Sequence, residues 1–390
     1  MINDIYKLFK NSGLILVVYI IALLTSTYNS NVYLVFLFCI FGLILLPIRK
    51  YLDNTALTIL IFSIVYATFT HFNGVSKSMF QLLCHLLSPI IFYIFGKHIV
   101  KKNTEKGVVA FIAISLFAFS IMAISDVIKD IGYNGFANIT REIETSGREA
   151  SLSATLFALL FSLNICGLGV FISYNDKKTF IPYFFFALCI ASLVSNMHLI
   201  NRTAIVLFLL VTLISITYKY RKNIFFIVFS IALVTIVIML LFKYGIIGSD
   251  VIEAYEQRAL YDEINDRGMT SERDVRWILS IKNIFIYPFG WRNELIGFNP
   301  YAHNLWLDVA RDAGFFPFTI LIIASCMSIK DILRISLSKF KTYNAVLTLL
   351  YITFFISSFI EPIIQGIPLY FYLFTMLWGI SRQSIINKYV

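Results

Sequence analysis

Long apolar runs bounded by charged or turn-forming residues recur along most of the chain, at 14–28, 31–48, 55–70, 78–96, 107–125, 151–173, 180–198, 203–218, 223–242, 313–329, 343–360 and 363–380. A helix that crosses the hydrocarbon core of a bilayer needs roughly 20 predominantly apolar residues. The pattern therefore predicts an all-α integral membrane protein with about twelve transmembrane helices. One long polar stretch, 243–312, separates the ninth run from the tenth. The other connections are short, and neither an inverted internal repeat nor a Pro-rich or Gly/Ser-rich linker interrupts them. Residues 1–390 thus read as a single polytopic membrane domain with one elaborated loop.

Composition narrows the class further. The chain is 59% hydrophobic and only 14% charged, which exceeds the apolar share of a soluble globular protein and leaves no room for a large soluble domain beside the spans. The formal charge of +10 reports topology first, and no nucleic-acid partner is read from it. With the N-terminus inside, nineteen of the 32 basic residues fall in the inner connections, whereas the short outer ones keep only Lys77, Lys129, Arg141, Arg148 and Arg202. This asymmetry predicts cytoplasmic N- and C-termini and an extracytoplasmic 243–312 loop. The five cysteines all lie inside apolar runs with no CxxC pair, so neither disulfides nor zinc-thiolate sites are expected. Lys7 and Lys10 before an apolar stretch imitate a secretory signal, but Thr25-Ser26-Thr27 lead at once into another apolar stretch, so the expectation is an uncleaved first span.

The loop holds eight basic residues and eleven of the 22 acidic ones, and it reads as two or three short helices. Asp250 with Glu253 suggests one helix start, and Ser271 with Asp274 opens a second helix that Pro288 must close. In that second helix Trp277, Ile278, Ile281, Ile284 and Phe285 share a face, while Arg273 and Arg276 lie with Ser280 and Asn283 on another. Two readings stay open for the arginines: solvated charges on an amphipathic helix resting on the bilayer, or a fork of guanidinium donors for phosphate or pyrophosphate. After Gly290 and Pro300, a further helix is predicted from Tyr301 to Gly314, with His303 near its start. That placement favours a neutral, proton-accepting imidazole, although a histidine among aromatics is more often structural. Asp308, Arg311 and Asp312 read as a local helix charge network. His71 and His198 also face outward, yet no spacing joins them to His303 as metal ligands.

Arg273-Asp274-Val275-Arg276-Trp277, Pro288-Phe289-Gly290, Ala302-His303-Asn304-Leu305 and Ala313-Gly314-Phe315, in that order, resemble the periplasmic-loop pattern of the O-antigen polymerase and O-antigen ligase superfamily. Asn201-Arg202-Thr203-Ala204, at the start of the eighth span, is similar to that family's second landmark. The specific likeness covers roughly 180–330, and Trp291-Arg292 depart from the second glycine of many relatives.

The resemblance implies a GT-C-like glycosyltransferase of the bacterial cytoplasmic (inner) membrane, with the long loop periplasmic. It implies a polyprenyl-pyrophosphate-linked glycan as donor, a glycan acceptor, neither metal nor other cofactor, and room for a chain-length regulator or a flippase as partner. Within it, Arg273 and Arg202 would stabilise the leaving pyrophosphate, His303 would act as base for the attacking sugar hydroxyl, and Arg276, Arg148 and Asn304 would contact substrate. Polymerisation of lipid-linked repeat units into O-antigen or a related surface polysaccharide is the first expectation. A ligase that moves the finished glycan to a lipid A core is the second, because the mixed charge of the loop poorly matches a phosphorylated core. A lipid-linked oligosaccharide flippase is the third, disfavoured by the near absence of charges inside the spans.

Overall fold

The computed structural model describes residues 2–26, 32–76, 78–135, 142–144, 151–174, 179–220, 253, 256–257, 273–292, 301–338 and 341–387. The run at 223–242, the helix start at Asp250, and Arg148 lie outside the described residues. In chain order the helices are α1 (Ile2–Ser26), α2 (Val32–Leu45), α3 (Asn54–Phe72), α4 (Met79–Lys102), α5 (Glu105–Asn134), α6 (Ala154–Ser162), α7 (Gly167–Ser173), α8 (Phe180–His198) and α9 (Arg202–Tyr220). They continue with α10 (Arg273–Ile286), α11 (Leu305–Ala313), α12 (Phe315–Leu337), α13 (Thr342–Ile360), α14 (Ile363–Gly366) and α15 (Pro368–Ile386). Among the described residues, nine helices are long and apolar enough to cross a membrane. The chain is a multi-pass, helical membrane protein.

Three departures from the expected runs involve proline breaks or strands. The run at 31–48 yields only the 14-residue α2, which stops before Pro47 and a short 3-10 turn, Ile48–Lys50. The run at 363–380 is divided, because Pro368 lacks the N–H that would continue α14 and instead starts α15. The third is a two-stranded antiparallel pair, β1 (Glu142–Glu144) with β2 (Ser151–Ser153), in a protein predicted to be all-α. Polar and apolar residues alternate in both segments, and Ile143, paired with Leu152, is buried.

The chain forms two compact units, one of residues 1–119, 272–339 and 354–390, the other of 120–271 and 340–353. In the first, α4 packs against α1, α2, α3 and α15. Its buried aromatic core gathers Tyr19, Phe38, Phe92, Phe95 and Phe111, with ring centroids 4.9–5.9 Å apart. Gly96 and Gly379 set the approach of α4 to α15. A Cβ at Gly96 would strike the Met376 carbonyl oxygen, and one at Gly379 the Tyr93 carbonyl oxygen. Small residues at a crossing let two membrane helices bring their backbones together.

One end of this unit is held by ions. Lys97, 3% exposed, donates to Asp53 at 2.7 Å and to the Tyr51 carbonyl at 3.0 Å, while Arg382 donates to Asp331 at 2.9 Å. Asp53 also caps α3 by accepting from Ala56 N, and Trp378 donates to Asp331. Four helix ends, those of α3, α4, α12 and α15, are tied there beside Lys101 and Lys102. The opposite ends of α3 and α12 carry Asn73 and Gly314.

In the second unit, Asn164 sits in a 3-10 turn, Leu163–Cys166, between α6 and α7 and donates to Ser120 and Ser192 at 2.9 and 3.0 Å. His198 at the end of α8 is fully buried and lies 2.6 Å from Asp130 of α5. α5 runs nine residues beyond the apolar run, which places Asp126 and Asp130 in a helix expected to stop at 125.

Alanine at Gly379 should lower the stability of the detergent-solubilised protein by about 1–3 kcal/mol, because the added methyl meets backbone and not a yielding side chain. An unchanged thermal midpoint for Gly379→Ala would mean that the crossing tolerates a wider separation.

Candidate functional site

The loop residues singled out from sequence converge in the first unit, around the segment 301–314. α11 begins at Leu305, two residues after His303, because Asn304 is the N-cap. Its side-chain oxygen accepts from Trp306 N and Leu307 N, both at 3.2 Å. His303 therefore precedes the helix and does not form its first turn. Asp308, one turn inside, reaches back and accepts from Ala302 N at 2.7 Å and from Asn304 N at 3.1 Å. With the amides on both sides held by one carboxylate, His303 adopts φ 54°, a left-handed conformation that costs a non-glycine residue on the order of 1 kcal/mol.

A second clasp holds the ends of this segment. Gly290 has φ 104° and Gly314 φ 85°, both in the range that favours glycine. A Cβ on Gly314 would strike the Pro288 carbonyl oxygen and lie 2.6 Å from the Phe289 carbonyl carbon. Trp291 N donates to Arg311 O at 3.0 Å and Phe315 N to Pro288 O at 2.7 Å. The Pro-x-Gly turn and the glycine before α12 are thus two halves of one backbone contact. Asn73, following α3, completes it by donating to Phe289 O at 2.7 Å and Asp312 O at 2.9 Å. Nothing in the sequence around Asn73 announces this role.

α10 lies against the same segment. Trp277 donates its indole N–H to Ala302 O at 2.8 Å, and Ile284 packs with Trp291, Ala302, Leu307 and Ala310. The predicted single apolar face is divided: Trp277 and Ile284 turn inward, whereas Ile278, Ile281 and Phe285 are 52–76% exposed. Arg273 is the first residue of α10, and Arg276 is half-buried one turn later. Trp291 fills the cluster, and Arg292 lies 3.8 Å from Asp312.

The predicted charge network is present and more buried than a surface network. Arg311 is 4% exposed, grips Asp312 at 2.9–3.0 Å and stacks its guanidinium 4.0 Å above the Tyr301 ring. Burial opposes the charge on Arg311, but Asp312 and Asp308 outweigh it and hold the guanidinium pKa up. Burial pushes the Asp308 carboxyl up to about 6, against the opposing pull of Arg311 and of the two amides.

The imidazole of His303 is 25% exposed, but its Nδ1 is buried and has no hydrogen-bond partner. Facing it at 3.8 Å is Oε2 of Glu361, whose side chain is 8% exposed and which also lacks a hydrogen-bond partner. Glu361 closes the last turn of α13, before Pro362 breaks the helix. Gln365, on α14, adds two more buried polar atoms without partners. The sequence reading missed Glu361. An acid beside a proline at the end of an apolar run was the only visible sign, and nothing connected it with a histidine 58 residues away.

Of the residues expected to act together, Arg273, Arg276, His303 and Asn304 belong to this unit. Arg202 opens α9 in the second unit, directly after the turn in which Ile200 has φ 52°. His198 is engaged with Asp130. Among the described residues, no three His, Cys, Asp or Glu side chains come close enough to hold a metal ion.

The folded pKa of Asp308 lies above its unfolded value of 3.8, so the stability this group contributes is fully present below about pH 4 and is lost as pH rises through about 6. The difference in thermal midpoint between the wild type and Asp308→Asn should therefore narrow as pH rises from 4 to 7. A gap independent of pH would show that Asp308 titrates alike in the folded and unfolded chains.

No protein-family model matches the chain, and no curated protein is detectably similar to it in sequence.

Proposed function

We propose that this protein is a membrane glycosyltransferase that polymerises polyprenyl-pyrophosphate-linked oligosaccharide repeats into a surface polysaccharide. The observation that carries the reading is the state of His303. Two hydrogen bonds to Asp308 hold it at φ 54°, its Nδ1 is buried and unpartnered, and α10, which carries Arg273 and Arg276, is bonded to the carbonyl of the preceding residue. A strained backbone that other groups over-determine is a frequent mark of a functional position. In the proposed reaction His303 takes the proton of the attacking sugar hydroxyl. Arg273, with Arg276, balances the charge that develops on the departing pyrophosphate, and no step calls for a metal.

Span number and orientation belong to the same reading. The nine long helices, α2, α15 and the run at 223–242 make twelve spans. In the first unit Lys97, Lys101, Lys102 and Arg382 gather at one end, and His303, Gly314 and Glu361 at the other. Such segregation supports a cytoplasmic basic end and a periplasmic site by the positive-inside rule. In intact spheroplasts of a strain whose copy carries Cys326→Ser, Gly268→Cys should react with an impermeant thiol reagent and Ser338→Cys should not. The reverse pattern would overturn the orientation.

Deletion of the gene should leave a single repeat on the surface acceptor, seen by electrophoresis of extracted glycan. A bare acceptor with retained lipid-linked polymer would instead assign a ligase. At matched membrane levels His303→Gln should lower polymerisation by about 10²- to 10⁴-fold, the usual worth of general-base assistance. Arg273→Lys should lose on the order of 10²-fold, since a point charge does not reproduce a bidentate fork on pyrophosphate, with Arg276→Lys milder. Normal synthesis by His303→Gln would exclude proton abstraction at this residue.

A further inference from the structure

We infer that Glu361 is the positioning residue for His303, fixing the imidazole in the tautomer that bears its proton on Nδ1 and leaves Nε2 bare for the acceptor hydroxyl. This inference rests on the glycosyl-transfer reading for its chemistry but on geometry for the pairing. The facing atoms, His303 Nδ1 and Glu361 Oε2, are both buried, both lack a hydrogen-bond partner, and stand 3.8 Å apart. That is an ion-pair distance and longer than a hydrogen bond, so a small rotation of either side chain closes it. A buried carboxylate oxygen without a donor is costly, and a histidine opposite it is the one neighbour that offers an N–H when neutral and a full positive charge when protonated.

The elements bearing the two residues are held in register independently of the pair. Trp306, in the first turn of α11, packs its ring 4.7 Å from Phe359 of α13 and donates its indole N–H to Ser325 of α12 at 2.9 Å. α11 also packs against α14, the helix that follows Glu361. Asp308 fixes the backbone of His303 from the other side. The imidazole is left with its χ angles as its remaining freedom, and Glu361 is the group placed to set them.

The step balances as a single displacement. The acceptor hydroxyl gives its proton to Nε2 of His303, and its oxygen forms the new bond to the anomeric carbon. The bond from that carbon to the pyrophosphate oxygen breaks, and the electron pair leaves with the polyprenyl pyrophosphate. His303 becomes an imidazolium whose Nδ1–H points at the Glu361 carboxylate, so the charge formed in the step meets a fixed countercharge.

Two measurements test the inference separately from the reaction. In the full-length protein labelled with ¹⁵N-histidine and held in lipid nanodiscs, the His303 signals are those lost in His303→Gln. In the wild type they should report a protonated Nδ1 and a bare Nε2. In Glu361→Gln they should shift to a mixture of tautomers, and Glu361→Asp should restore the wild-type pattern. A wild-type His303 protonated on Nε2, or a pattern unmoved by Glu361→Gln, would overturn the pairing whatever the enzyme's activity. In polymerisation assays at matched protein level, Glu361→Gln should lower kcat by roughly 10²-fold with KM for the lipid-linked donor unchanged, and Glu361→Asp should recover most of the loss. Full kcat in Glu361→Gln would refute the positioning role, while full activity in His303→Gln would refute the glycosyl-transfer role of the histidine and leave the tautomer result to decide the pair.

Discussion

The backbone amides of Ala302 and Asn304 both end on the carboxylate of Asp308, and the residue between them is thereby forced into a left-handed conformation. Most of the surrounding segment follows from this grip. Asn304 is placed to cap α11, and its capping fixes where the helix starts. The carbonyl of Ala302 is turned toward α10, where the indole of Trp277 finds it. A carboxylate this buried needs compensation, and Arg311, three residues on, supplies it within the same helix while also pairing Asp312 and covering Tyr301. The strain at His303 is therefore sustained by hydrogen bonds to a charged group, each worth more than a neutral one.

The glycine clasp explains how a loop segment this polar is held to apolar helices. Backbone atoms of Pro288, Phe289 and Arg311 meet those of Trp291, Ala313 and Phe315 only because Gly290 and Gly314 lack a Cβ and accept positive φ. The motif residues that stood out in the sequence are those a backbone-to-backbone contact requires. Asn73 then ties the clasp to α3 through two carbonyls, which leaves the position of His303 referred to the helix bundle and not to the loop alone.

How much of this was legible in advance differs with the range of the interaction. Helix α10 with its end before Pro288, the break at Gly314 and the local charges of α11 were readable because periodicity, proline and glycine act within a few residues. α11 starts four residues after Tyr301, because the Asn304 side chain caps it. The apolar face of α10 was read as one surface, and which half turns inward depends on Trp291 and Leu307, which periodicity in α10 does not contain. Glu361 and Asn73 were missed for a plainer reason. Each acts across 58 or more residues of chain, and their neighbours in sequence are ordinary span ends. The short β pair escaped because a three-residue alternation between two long apolar runs carries too little signal.

Among charged or ionisable Asp, Glu, His, Lys and Arg side chains in the described residues, the buried atoms without a hydrogen bond are on His303, Asp312, Glu361 and Arg382. Asp312 and Arg382 satisfy their charge elsewhere, through Arg311 and Asp331 at 2.9 Å. His303 and Glu361 instead face each other across a gap that neither closes, next to a backbone already strained and clamped. Burial of an open acid and base side by side adds little to stability, because the desolvation of both is set against a contact that is not fully made. Such an arrangement is intelligible where a proton arrives during function, since the pair then gains its full attraction at the moment when positive charge appears on the imidazole.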